Sequence, residues 1–299
     1  MKLKAFILII TACALWGTSG LFVDFLAPYG FNTFHMMGAR SCVAFFAIAL
    51  YALIFNRKKF KTSLKALLLF ALAGLSIYAT GAFYYASMQM TSVSTAVVLM
   101  YSAPIYVMIF SVLFLGEKLT PLKLVSVVLM LVGCCFVSGI IGGLRFDAVG
   151  ILLGILAGIA YAAYNIATKI SMQKGNDPVT CTLYSFMFMA MIAFIFTEPQ
   201  KMAEYSKASP ATIIPALIAL GLFTSIIPYF LYTLSLRDIP AGTASSLGIL
   251  EPMSATIFSV MLLGEKLTLL SAVGMILILA AVFMLGKAEG KHKEKTDEA

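Results

Sequence analysis

Ten apolar runs, at 5–27, 33–55, 66–86, 94–114, 121–141, 148–168, 178–197, 211–235, 242–262 and 269–286, leave this chain of 299 residues few ways to fold. Each is about the 17 to 25 residues that an α-helix needs to cross a bilayer. The breaks between them are short and carry helix punctuation, as in "PYGFN" at 28–32, "KGNDP" at 174–178 and "EPQKMAEYSKASP" at 198–210. None of the runs alternates apolar with polar residues, as the strands of a transmembrane β-barrel do. Composition agrees: 61% of residues are hydrophobic, 11% are charged and mean hydropathy is +0.99, whereas a water-soluble domain carries about 25% charge. The sequence predicts an all-α polytopic membrane protein of ten transmembrane helices, spans 1 to 10, with no linker long enough for a separate soluble domain.

The positive charges set an expected orientation. If the spans alternate from a cytoplasmic N-terminus, sixteen Lys and Arg fall on the cytoplasmic side. Four, Arg145, Lys201, Lys207 and Lys266, fall outside, and Arg40 lies within span 2. The positive-inside rule then places both termini in the cytoplasm, as expected of a multi-pass protein of the cell membrane. The net charge of +8 is thus mostly topology, and its bases sit at membrane edges, which argues against nucleic acid as a partner. Lys2 and Lys4 before an apolar run, with "ITAC" at 10–13, have the look of a cleavable leader. The run before Cys13 is short, however, and the chain stays apolar through Leu26, so a retained first helix is expected. Cys13, Cys42, Cys134, Cys135 and Cys181 all fall inside spans, without metal-ligand spacing, as small apolar fillers.

One stretch is written twice. "FSVLFLGEKLT" at 110–120 returns as "FSVMLLGEKLT" at 258–268. Shifting the chain by 148 and aligning 84–120 with 232–268 gives identities at sixteen of 37 positions, among them Tyr84/Tyr232, Pro104/Pro252 and all of 115–120. Shared apolar composition gives about a tenth, so the chain is internally duplicated. The unit has five helices. Because five is odd, the second copy enters from the opposite side, and the expected architecture is two inverted five-helix repeats, 1–142 and 143–286, followed by a charged cytoplasmic tail, 287–299, expected to be disordered. The repeated turn closes one helix at Gly116 or Gly264 and opens the next at Thr120 or Thr268. It reads chiefly as a helical-hairpin turn, with a gate-latching ion pair from Glu117 and Glu265 to a neighbouring helix as the lesser reading.

At these residues the chain resembles the EamA-type members of the drug/metabolite transporter superfamily. The resemblance covers nearly all of 1–286. It rests on "LWGTSG" in span 1, the arginine of "GARSCVAFF" in span 2, "SAPIYVMIFSVLFLGEKLT" across spans 4 and 5, and "ILEPMSATIFSVMLLGEKLT" across spans 9 and 10. It implies a ten-helix carrier with spans 1–4 and 6–9 around a central cavity and spans 5 and 10 peripheral. Many such proteins export amino acids, metabolites or toxic amphipathic compounds. Where the family often has a tryptophan in span 6, this chain has Tyr161, which loosens what the resemblance says about substrate.

The residues support a transport site on their own account. Glu251 stands mid-span in the otherwise uncharged run from Leu247 to Val260, where a lipid-facing carboxylate costs several kcal/mol. It must face protein or water. Pro252 denies a donor to the Gly248 carbonyl, and Pro104 does the same to that of Met100. Paired interruptions at matching points of two repeats point to a site at the midplane. Arg40 sits about 10 Å inside span 2 at roughly 1.5 Å per residue; it either pairs with Glu251, anchors a substrate carboxylate or ties helices together. Trp16, Tyr78, Tyr84, Tyr101, Tyr161, Asn165, Tyr229 and Tyr232 supply rings and polar tips for an amphipathic ligand. His35 reads as interfacial and Lys169 as snorkelling to the cytoplasm. Gly150, Gly154 and Gly158 form a small-residue stripe for close helix packing.

No catalytic or metal-binding constellation, phosphate-cradling loop or nucleotide-binding domain is written in the chain, so neither an enzyme nor a cofactor is expected. The leading expectation is a secondary-active transporter of a small molecule working by alternating access. Glu251 would serve as the proton-coupling carboxylate and Asp24 as a weaker second. A passive channel or a lipid-translocating protein is the alternative, and a ligand sensor lacks an effector domain. Substrate, direction and oligomeric state stay open at this point, a homodimer included.

Overall fold

The apolar runs fold as helices. The computed structural model describes residues 2–117, 119–139, 147–264 and 266–297, and there is no strand among them. Lys118, Arg145 and Glu265 lie outside the described residues, so the ion pair expected of Glu265 does too. Span 1 is Lys2–Gly17 continued as Ser19–Leu26. Spans 2 and 3 are Thr33–Phe55 and Leu64–Met90, and span 4 comes in two pieces, Val93–Met100 and Ala103–Leu115. Spans 5, 6 and 7 are Pro121–Val137, Ala148–Gln173 and Pro178–Phe196. Span 8 is Pro210–Gly221, a π turn at Leu222–Ile226, and Ile227–Ser235. Span 9 is again two pieces, Ala241–Leu247 and Leu250–Leu262, and span 10 is Leu269–Asp297. Nine spans among the described residues are long and apolar enough to cross a membrane; span 5 has 17 residues.

Side chains fix where many of the spans begin. Asn32, Ser63, Ser92, Thr120, Asp147 and Asp177 each accept a first-turn backbone N–H, which satisfies donors that would otherwise be orphaned at a helix start. The repeated turn has the geometry its sequence calls for. Gly116 and Gly264 are left-handed, at φ 66° and 72°, a conformation that glycine adopts without strain. Thr120 and Thr268 then accept the amides of Lys123 and Ser271 at 3.3 and 3.1 Å.

Helix packing follows the duplication. Span 3 packs on span 6 and span 8 on span 1; span 4 packs on span 6 and span 9 on span 1; span 7 packs on spans 2 and 3, and span 2 also on span 8. Exchanging the two five-span halves turns the contact of spans 3 and 6 into that of 8 and 1, 4 and 6 into 9 and 1, and 7 and 3 into 2 and 8, and leaves 2 and 7 as it is; spans 5 and 10 pack chiefly on each other, outside the rest. The glycine stripe of span 6 is a packing surface. Gly150 meets Met90 and Thr91, Gly154 meets Ser87 and Leu99, and Gly158 meets Tyr106 and the carbonyls of Leu99 and Met100.

Four features depart from expectation. A short helix, Pro199–Ser206, lies in the loop between spans 7 and 8, begun by Glu198 at φ 47°. His35, expected at the interface, is buried at the start of span 2. Its Nδ1 accepts the Asn32 amide and its Nε2 stands 3.5 Å from the Glu198 carboxylate. Lys201, hydrogen-bonded to Glu198 at 2.7 Å, holds that carboxyl below the usual carboxylate range. Lys169 does not snorkel: it is buried, with its ammonium on backbone carbonyls. The tail expected to be disordered continues the helix of span 10 to Asp297, its Ala, Glu and Lys being strong helix formers.

Candidate functional site

The interruptions of spans 4 and 9 fall where the prolines put them. Span 4 breaks at Tyr101 and Ser102, just before Pro104, and span 9 at Gly248 and Ile249, just before Pro252. Neither proline can donate to the carbonyl one turn back, so each helix loses continuity at mid-membrane. Beside the two breaks lies a cavity of about 220 Å³. Its lining runs from Val23 and Thr33, at the ends of spans 1 and 2 far from the N-terminus, down to Trp16, Tyr101, Tyr161 and Glu251. The cavity therefore opens toward the face opposite the N-terminus. Beneath it Ala5, Ile9, Ala12, Cys13 and all of Ala241–Leu247 are buried.

Seven of the ten side chains singled out for a substrate site line this cavity: Trp16, Arg40, Tyr84, Tyr101, Tyr161, Tyr229 and Glu251. Glu251 is in the first turn of the second piece of span 9, where the helix dipole favours negative charge, and Tyr101 lies beside its carboxylate. Arg40 lies beside Tyr229 and close enough for its charge to act on Glu251, but no ion pair within 4.0 Å joins the two. Trp16 packs edge-on against Tyr229, ring centroids 5.0 Å apart, and tilted against Tyr232 at 5.5 Å. Trp16 Nε1 and Arg40 Nε are both buried, and neither has a hydrogen-bond partner among the described residues.

Three side chains sit elsewhere. Tyr78 stacks on Phe196 of span 7, away from the cavity. Asn165 and Tyr232 are fully buried behind its wall. The Tyr232 hydroxyl donates to Asn165 Oδ1, and Asn165 Nδ2 donates to the Tyr161 carbonyl at 2.8 Å, so the pair supports the helix that presents Tyr161. Tyr232→Phe leaves a buried amide oxygen unpaired and is expected to cost about 2 kcal/mol. The double variant Tyr232→Phe with Asn165→Leu removes both partners and should recover part of that loss in equilibrium unfolding.

The sequence reading missed Met37, Thr80, Gly81 and Thr224 as lining residues. Thr224 had a signal: Pro228 four residues on removes the donor to its carbonyl, and the π turn Leu222–Ile226 stands there. Thr80 and Gly81 are one turn before Tyr84, a small polar step in an apolar run. Met37 is an ordinary apolar residue in sequence. It reaches the cavity because Gly81 has no side chain, an added Cβ there meeting Met37 Cε at 2.6 Å.

Comparison with known proteins places this geometry. A model of the EamA-like transporter family matches residues 3–139 and again 148–287. The chain belongs to the EamA-like transporter family. EamA-like relatives include an uncharacterized transporter of Archaeoglobus fulgidus, 29% identical over 216 residues, which covers 71% of this chain and 75% of that protein. The uncharacterized transporter YwfM of Bacillus subtilis is 25% identical over 292 residues, 97% of this chain and 96% of that protein. The threonine/homoserine exporter RhtA of Salmonella typhimurium is 26% identical over 209 residues, 70% of this chain and 67% of that protein. One solved crystal structure superposes with a TM-score of 0.76 over 95% of this chain and 96% of that one at 16% identity, a likeness of fold. This EamA-like chain is an integral multi-pass membrane protein and a transporter.

Proposed function

We propose that the protein is a secondary-active carrier of the cell membrane that works by alternating access and exports small amino acids, with both termini in the cytoplasm. The observation that carries this reading is the cavity itself. It is open toward one face, closed beneath by buried helix, and set at the breaks of two duplicated spans. A pore open to both faces has no such floor. The cavity also sorts its charges. Arg40 Nε and Trp16 Nε1 are buried donors without a protein acceptor, and a buried N–H costs free energy until it finds one. A substrate carboxylate supplies that acceptor, and the Glu251 carboxylate suits the ammonium of the same zwitterion. The printed activity of RhtA, a threonine/homoserine exporter, supports the same class. With both termini in the cytoplasm the cavity faces outward, and on this reading an inward opening loads substrate from the cytoplasm.

Counterflow tests the proposal. Proteoliposomes are loaded with one unlabelled amino acid at a time, threonine and homoserine included, and uptake of the matching radiolabel is followed. Transient, saturable accumulation of at least one amino acid is expected. Accumulation with organic cations only would move the substrate class, and unselective leak of every solute would sink the carrier reading in favour of a channel.

A further inference from the structure

The floor of the cavity is held from two sides by charge. Span 9 opens with Ala241–Leu247, seven residues that are all buried, and the Cys13 thiol of span 1 donates to the Leu247 carbonyl at 3.4 Å. The linker from Leu236 to Pro240 brings the chain from span 8 into this half-helix. At its entrance the Glu117 carboxylate, from the repeated turn between spans 4 and 5, accepts the Ala241 amide N–H at 3.1 Å. On the linker itself, the Lys169 ammonium of span 6 donates to the carbonyls of Leu236 and Ile239, each at 2.7 Å.

Both charges act on backbone groups, and each has the sign that its end of helix favours. A carboxylate meets the N–H groups that begin span 9, and an ammonium meets carbonyls just past the end of span 8. Three separate parts of the chain thus converge on one short segment. The break at Gly248 and Ile249 lies immediately above it, so the half-helix is not continuous with the rest of span 9. These bonds exist only while the segment occupies the floor. An opening toward the cytoplasm breaks them and gives both charges to water.

We propose that Glu117 and Lys169 form a two-point clasp that holds Ala241–Leu247 shut on the cytoplasmic side of the outward-facing carrier. The clasp rests on the alternating-access reading above and adds to it the residues that set its bias. It also gives the repeated LGE turn a role in the first copy: its glutamate fastens the gate helix of the other half.

Cys13 is a built-in reporter, being buried under the floor and bonded to the gate. In a background with Cys42, Cys134, Cys135 and Cys181 replaced by alanine, a membrane-impermeant maleimide is applied from the cytoplasmic side of vesicles. Glu117→Ala and Lys169→Met are each expected to speed Cys13 modification about tenfold, as suits loss of a hydrogen bond to a charged group. Glu117→Gln, which keeps a neutral acceptor, should fall between Glu117→Ala and the parent. A parallel set carries Cys13→Ala and Thr80→Cys, whose thiol lines the cavity and reacts from outside. Its labelling should fall in the same variants. Glu117 is on a partly exposed turn, so its variants remain informative even if Lys169→Met fails to fold. Unchanged Cys13 labelling in the Glu117 variants overturns the clasp. Faster Cys13 labelling without loss at Thr80→Cys upholds the clasp and sinks alternating access instead.

Discussion

Glu251→Gln is expected to lower counterflow by roughly a hundredfold while the protein remains folded. Two unit charges at 4 Å and an effective dielectric near 20 attract by about 4 kcal/mol, and desolvation offsets part of this. What remains is enough for a factor of that size. The amide fills the same volume in the first turn of Leu250–Leu262 and beside Tyr101, so packing is little changed. What it loses is the charge that, in the proposed carrier, would meet a substrate ammonium. Glu251→Asp keeps that charge but withdraws it by one methylene, and should retain part of the exchange. Tyr101→Phe removes only a neighbouring hydroxyl and should cost a few-fold. Initial counterflow rates, read beside thermal unfolding in detergent, check all three. A Gln variant that exchanges at the wild-type rate removes Glu251 from the mechanism.

Much of the fold was legible because bilayer thickness is a hard constraint on helix length. Among the described residues each of the ten runs is helical, and the caps that begin the helices were written as Asn, Ser, Thr and Asp and those that end them as Gly at the right places. What stayed hidden was decided by tertiary contact. The helix Pro199–Ser206 is polar and short, and its sequence reads equally as loop. The Thr18 interruption of span 1 has no proline to announce it. Lys169 looked like a snorkelling residue because Tyr161, Asn165 and Lys169 share one face. The linker after span 8 supplies carbonyls that its ammonium meets while buried, and nothing in the local sequence announces them.

The candidate site divides along the same line. Glu251, Arg40 and the two prolines could be picked out because charge and missing donors are costly in a membrane wherever they occur. Tyrosines carry no such penalty. Tyr84, Tyr101, Tyr161 and Tyr229 line the cavity, whereas Tyr78 and Tyr232 do not, and nothing in their local sequences separates the two groups. Rotation of each helix about its axis decides which way the ring points. That rotation is set by packing between helices, which a single sequence does not pair.

A close approach between glycine and backbone on both sides, outside the cavity, gives the second large expected effect. Spans 5 and 10 touch through Gly133 and Gly274. A Cβ on Gly133 would stand 2.7 Å from the Gly274 carbonyl oxygen, and one on Gly274 2.6 Å from that of Gly133. Both obstacles are backbone, so neither is relieved by a rotamer change; the helices themselves must part. Gly133→Val and Gly274→Val are each expected to cost about 3 kcal/mol, at the upper end of overpacking penalties. Once the spans have separated for one valine, the second meets little further resistance, so the double variant should cost much less than the sum. Equilibrium unfolding of the two single variants and the double variant measures this. Strict additivity would show that the two contacts relax independently. Counterflow should change little in whatever fraction folds, because spans 5 and 10 pack chiefly on each other and contribute no cavity-lining residue.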